Sequence, residues 1–156
     1  MFELEINDAD ITFALSRIAA ALTDPSPVMN EIGMFLVAST GRRFDETKAP
    51  DGSTWAARSE TTLAIYDRQK ATYGAVLHKS GTLRQSIFHS YGPDEVTVGS
   101  NVLYSAVMQF GAAKGSLGKG APWGNIPARP FLGLSEEDKG GVVDIVGEWL
   151  ERAAMP

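Results

Sequence analysis

The chain opens on an alternation in which Phe2, Leu4 and Ile6 are apolar while Glu3, Glu5 and Asn7 are polar. Period two marks a strand with one buried face, so a short strand is expected there. The period then changes. Ile11, Leu15, Ile18 and Leu22 recur at helical spacing behind Asp8 or Asp10 as N-cap, and Asp24-Pro25-Ser26-Pro27 stops that helix. Ser26 is expected to cap a second helix with Pro27 in its first turn. Val28, Ile32, Phe35 or Leu36, and Ser39 form its inward stripe as far as about Phe44.

From Asp45 to Arg58 the pattern reads as a loop, because Pro50-Asp51-Gly52 is turn chemistry, and Trp55 is expected to pin that loop to the core. Ser59 caps a predicted helix from Glu60 to Tyr73, which Gly74 ends. After a turn at Ser80-Gly81, Leu83 to Tyr91 and Glu95 to Gly99 form a predicted antiparallel hairpin across Gly92-Pro93-Asp94. A lone ribbon is marginal, so the N-terminal strand and the extended segment around Phe131 are expected to complete a sheet of three or four strands. Leu103 or Tyr104, Val107, Met108 and Phe110 predict a helix over Asn101 to Phe110, stopped by Gly111.

Residues 111–125, with Gly111, Gly115, Gly118, Gly120 and Gly124, read as a flexible glycine-rich loop that orders on assembly. Ser135 and Asp138 have capping-box spacing, with Asp replacing the usual Glu or Gln. The closing helix then carries Val142, Val143, Ile145, Val146, Trp149 and Leu150 on a broad stripe. The pattern as a whole predicts an α+β domain spanning residues 1–156. It has N-terminal helices, a small mainly antiparallel sheet with a hairpin, and a C-terminal helix packed on the sheet.

At 156 residues and 44% hydrophobic content the chain can bury one core. No apolar run approaches the roughly 20 residues needed to cross a bilayer, and Met1 to Asp10 lacks the form of a signal peptide. A cytosolic protein that does not engage membranes is therefore expected. Cysteine is absent, which excludes disulfides and thiolate metal sites. The net charge of -5 is uneven: residues 1–41 carry -5, residues 42–91 carry +3 and residues 92–156 carry -3. Alternating sign favours head-to-tail contact between identical subunits. An acidic chain without a Lys/Arg stripe is a poor nucleic-acid binder. Because long apolar runs are confined to helical stripes, self-association in isolation is expected to be weak.

The chain offers little to catalysis. His78 and His89 are its two histidines, without close-spaced ligands; a hydrolase or nuclease built on either one with nearby carboxylates is the alternative reading. There is no G-x-S-x-G elbow. Gly118-Lys119 fails as a phosphate loop, because Ala113 and Gly120 stand where Gly and Ser or Thr are needed. No catalytic, cofactor-binding or metal-binding residue is assigned. Trp123, Arg129, Lys114 and Lys119 are instead the candidate interface residues. Trp123 lies in a Gly/Pro loop where burial in its own subunit is not assured, and Arg129 is either a solvated side chain or a charged anchor.

Four motifs hold together in order: Pro50-Asp51-Gly52-Ser53-Thr54-Trp55, Ser80 to Ile87, Tyr104 to Gly111 and Ile126 to Ser135. In the last, Pro127 and Pro130 fix φ and force Ile126 and Arg129 into extended backbone, so that Phe131 and Leu132 are delivered rigidly onto a surface. From about Phe44 to Leu134 this pattern resembles the virion morphogenesis, or tail completion, family of Mu-like phages. The resemblance implies a non-enzymatic structural protein that completes a tail or joins it to the head as a ring-forming subunit. It would contact copies of itself and other tail or neck proteins, first in the host bacterial cytoplasm and then in the virion.

Overall fold

The computed structural model describes residues 8–118 and 124–155. In chain order it contains α1 (Ala9–Ala21), α2 (Ser26–Glu46), α3 (Glu60–Arg68), α4 (Thr82–Gln85), β1 (Ile87–Tyr91), β2 (Val96–Ser100), α5 (Ser105–Phe110) and α6 (Glu136–Ala154). This is the expected α+β class. The strand expected at Phe2–Ile6 lies outside the described residues.

Helix α2 is the element around which the others are placed. Its stripe buries Val28, Ile32, Ser39, Thr40, Arg43 and Phe44, close to the sequence expectation. The start differs by one position: Ser26 is already helical, and Asp24 caps from outside by accepting the Ser26 N–H at 3.1 Å. One side of α2 covers both strands of the hairpin. At Gly33 a Cβ would stand 2.3 Å from the His89 ring of β1, so glycine is what permits this approach. Another side meets α6, which also packs against α1. Val142 and Val146 of α6 and Val96 and Val98 of β2 line a shared apolar groove of about 570 Å³ with Ile32 and Leu36 of α2.

Among the described residues the sheet has two strands, antiparallel, with His89 opposite Val98 at its centre. Leu83 to Gln85, expected as strand, instead form the helical turn α4. Gly81 enters at φ 78, the Ser80 hydroxyl accepts from the Thr82 N–H, and Leu83 is buried. Helix α3 begins at its predicted cap, where the Ser59 hydroxyl accepts from the Thr62 N–H, but stops five residues early. There Lys70 turns left-handed at φ 49, its N–H donates to the Asp67 carbonyl, and the Ala71 N–H donates to Tyr66. That pair of bonds is a Schellman closure made without glycine. Helix α5 likewise starts at Ser105, four residues after its expected start.

The core is small. Phe44, Ala49, Trp55, Leu83, Ile87 and Phe131 form one buried cluster, with Phe44 edge-on to Trp55 and tilted against Phe131, both at 5.4 Å between ring centres. Trp55 pins its loop as expected, being 4% exposed.

Candidate assembly surface

Arg129-Pro130-Phe131-Leu132 is expected to be extended, and extended backbone must find hydrogen-bond partners when buried. Here they come mainly from side chains, with one backbone carbonyl of α5, instead of from a neighbouring strand. The Trp55 indole donates to the Pro130 carbonyl at 2.7 Å, and Arg43 Nη1 donates to the Phe131 carbonyl at 3.0 Å. Gln109 Oε1 accepts from the N–H groups of Phe131 and Leu132 at 2.9 and 3.0 Å, while Gln109 Nε2 donates to the Leu132 carbonyl at 2.9 Å. The Arg129 N–H donates to Met108 at 2.7 Å. This latch explains why the Phe131 segment does not join the sheet: its polar groups are already taken. The signal for it was Gln109, a polar residue between Met108 and Phe110 in an otherwise apolar stretch from Ala106.

Arg129, weighed as a solvated or interface residue, is 7% exposed. Its Nε donates to the Ala56 carbonyl at 2.7 Å and its Nη2 to Ala57 at 2.8 Å. Burial pushes its pKa down, and the nearby charge of Arg58 adds to the shift. The anchor is internal, because the fork geometry of the guanidinium is already matched by two carbonyls of its own chain.

Beneath the latch lies an ion pair. Arg43 Nη2 bonds Asp138 Oδ2, Ser39 donates to Asp138 Oδ1, and Ser135 closes the expected capping box on Asp138 through its N–H and hydroxyl, each at 2.8 Å. Asp138 is fully buried. Burial alone would raise its pKa, but the bonds from Ser39 and Ser135 and the charge of Arg43 outweigh that and hold the carboxyl below its ordinary range. One residue thus caps α6, neutralises Arg43 and joins α6 to α2.

The glycine-rich loop has a defined stem. Ala112 and Ile126 exchange backbone hydrogen bonds at 2.9 and 2.8 Å, and the Asn125 side chain accepts the Lys114 N–H at 2.8 Å. Gly111 turns in at φ 73 and ψ 179, where a Cβ would lie 2.7 Å from the Ile126 carbonyl oxygen. Gly111→Ala is therefore expected to lower stability by about 1–3 kcal/mol, measured as a shift in denaturation midpoint at unchanged slope. Lys114 is exposed at the stem. Trp123 and Lys119 lie outside the described residues.

The helical stripes do not all face inward, which removes the premise for weak self-association. Helix α1 buries none of its residues, and Ile11, Phe13 and Leu15 are each about 60% exposed. Beside α5, Leu103 and Phe110 are 99% and 78% exposed while Met108 and Gln109 of the same helix serve the core and the latch.

The histidines stand in separate surroundings. His78 sits in a turn beside Gly74 and Gly81, and His89 packs on α2 with Nε2 2.8 Å from Asn30 Oδ1. Neither forms an ion pair with a carboxylate among the described residues. Among those residues no group of three or more His, Cys, Asp or Glu could hold a metal ion, and no helix is long and apolar enough to cross a membrane.

The sequence profile of the phage virion morphogenesis family matches residues 6–151. The Mu-like prophage FluMu G protein 2 of Haemophilus influenzae is 30% identical over 152 residues, covering 97% of each chain. The putative capsid assembly protein G of Escherichia phage Mu is 28% identical over 146 residues, covering 89% of this chain and 92% of its own. No solved structure matches the chain. Of the two relatives, the phage Mu protein carries capsid assembly in its name, and the family profile is one of virion morphogenesis. The chain belongs to the phage virion morphogenesis family.

Proposed function

We propose that this chain is a non-enzymatic structural subunit that completes the phage tail or joins it to the head, working as one member of a ring. The observation that carries the reading is the exposed surface. Side chains such as Leu103, Phe110 and Phe13 stay in water although the fold has a rigid core to bury them in. Exposed apolar faces on a small protein mark contacts with other proteins. The latch at 129–132 gives those faces a fixed frame, since it ties α2, α5 and the Trp55 loop to one segment. On this reading the subunit works in the host cytoplasm during assembly and remains in the particle at the tail end or the head-tail joint.

Deleting the gene from the phage or prophage that carries it tests this. The expected result is separated heads and tails, or tails with unterminated ends, in negative-stain images, corrected by supplying the chain from a plasmid. Normal, infectious particles without the gene would overturn the reading.

The interface role of the glycine-rich loop belongs to the same proposal. Residues 115–118 are exposed, and the Ala112–Ile126 bridge lies outside them. Deleting or shortening Gly115 to Gly120 is expected to leave the melting curve unchanged while reducing complementation, with Trp123→Ala giving a milder defect. Full complementation by both variants would move the contact surface to the α1 and α5 faces.

A further inference from the structure

The six salt bridges among the described residues join α2 to α6 and to α4, or link near neighbours in α6 and in the segment after α2. The lobe formed by residues 58–79 takes no part in them, although it carries Arg58, Arg68, Lys70 and Lys79 against Glu60 and Asp67. Two of its cations, Arg58 and Lys79, are organised on aromatic rings. Tyr66 and Tyr73 lie 5.0 Å apart, Arg58 sits 5.8 and 5.1 Å from their centres, and Lys79 Nζ is 4.6 Å from Tyr66. Arg58 is fixed further by donating to the carbonyls of Gly74 and Ala75. A paired aromatic base under net positive charge is a recognition surface for an acidic partner.

The same chain carries the complementary surface. Asp144, Glu148 and Glu151 are exposed on α6 at spacings of four and three residues, which places them on one helical face, and none of them forms a salt bridge among the described residues. We infer that the basic lobe of one copy docks on this acidic ridge of α6 in a second copy, making a head-to-tail contact. The inference rests on the structural-subunit reading above and names the surfaces that meet. A contact between two different patches repeats from copy to copy, and it closes into a ring when the rotation per step allows. Nucleic acid is the poorer occupant. Arg58 is already engaged by two rings and two carbonyls, Glu60 and Asp67 sit within the lobe, and the chain's net charge of -5 repels a polyanion.

Sedimentation velocity on the full chain tests the inference, using Lys70→Glu/Lys79→Glu, Glu148→Lys/Glu151→Lys and their mixture. The native chain should associate, and more weakly from about 0.01 M to about 1 M salt, as the screening length falls from about 30 Å to about 3 Å. Each double variant should weaken association by at least about tenfold, and mixing the two should restore it, because each supplies the sign that the other lacks. Four results would overturn the inference: a monomeric native chain throughout, reversals that leave association unchanged, a mixture that does not recover, or a labelled oligonucleotide whose binding is lost in the lysine variant while self-association is unmoved. Any of these alongside a gene deletion that still blocks particle completion refutes the contact and leaves the subunit role standing. A deletion with normal particles refutes the role itself.

Discussion

Asp138→Ala is expected to lower stability by about 3–5 kcal/mol, because it leaves the Arg43 guanidinium buried without a counter-charge. Since domains of this size are stable by only about 5–15 kcal/mol, the variant should be partly unfolded at physiological temperature. Urea denaturation measures it. Asp138→Asn isolates the charge: the side chain keeps its volume but turns a neutral amide toward Arg43. The native carboxyl titrates below its ordinary range, so its stabilisation is fully present above the unfolded pKa of about 4 and is lost as pH falls through the lower folded value. Asp138→Asn should therefore flatten the loss of stability below about pH 4. Some slope remains, because Asp24 and Asp51 also have lowered pKa values through bonds from Ser26 and Ser53. An unchanged midpoint and acid slope would show that the pair contributes nothing net.

The second large effect is at Trp55. Trp55→Ala should cost about 3–5 kcal/mol, as for other buried aromatics, because it removes both the edge contact to Phe44 and the donor to the Pro130 carbonyl. Trp55→Phe separates the two, restoring most of the apolar volume but leaving that carbonyl without its partner. A midpoint for Trp55→Phe close to native would assign the anchoring to packing alone.

The features legible in the sequence were those written in local spacing. The Val28-Ile32-Ser39 stripe lies within one helix, the Ser59 cap and the Ser135/Asp138 capping box each span a few residues, and each formed as read. What local spacing does not carry is the second partner of the same groups. Asp138 reads as a cap, yet its bond to Arg43 crosses 95 residues. Arg129 reads as a solvated side chain or an interface anchor until the carbonyls of Ala56 and Ala57 are brought to it. Misread boundaries have the same origin. Lys70 ended α3 in a conformation usually given to glycine, and the first three residues of the strand expected over Leu83 to Tyr91 yielded to the turn set by Gly81. The candidate site was the least legible part, since whether Leu103 and Phe110 face the core or water depends on which side of α5 Gln109 is drawn to.

Labelling intact particles tests the central claim most directly. A phage carrying this chain with a short terminal tag, purified and marked with gold against the tag, should show label confined to one end of each tail or to the head-tail joint. Label spread over the head shell or along the tail, or particles with no label at all, would contradict a subunit that completes or joins the tail.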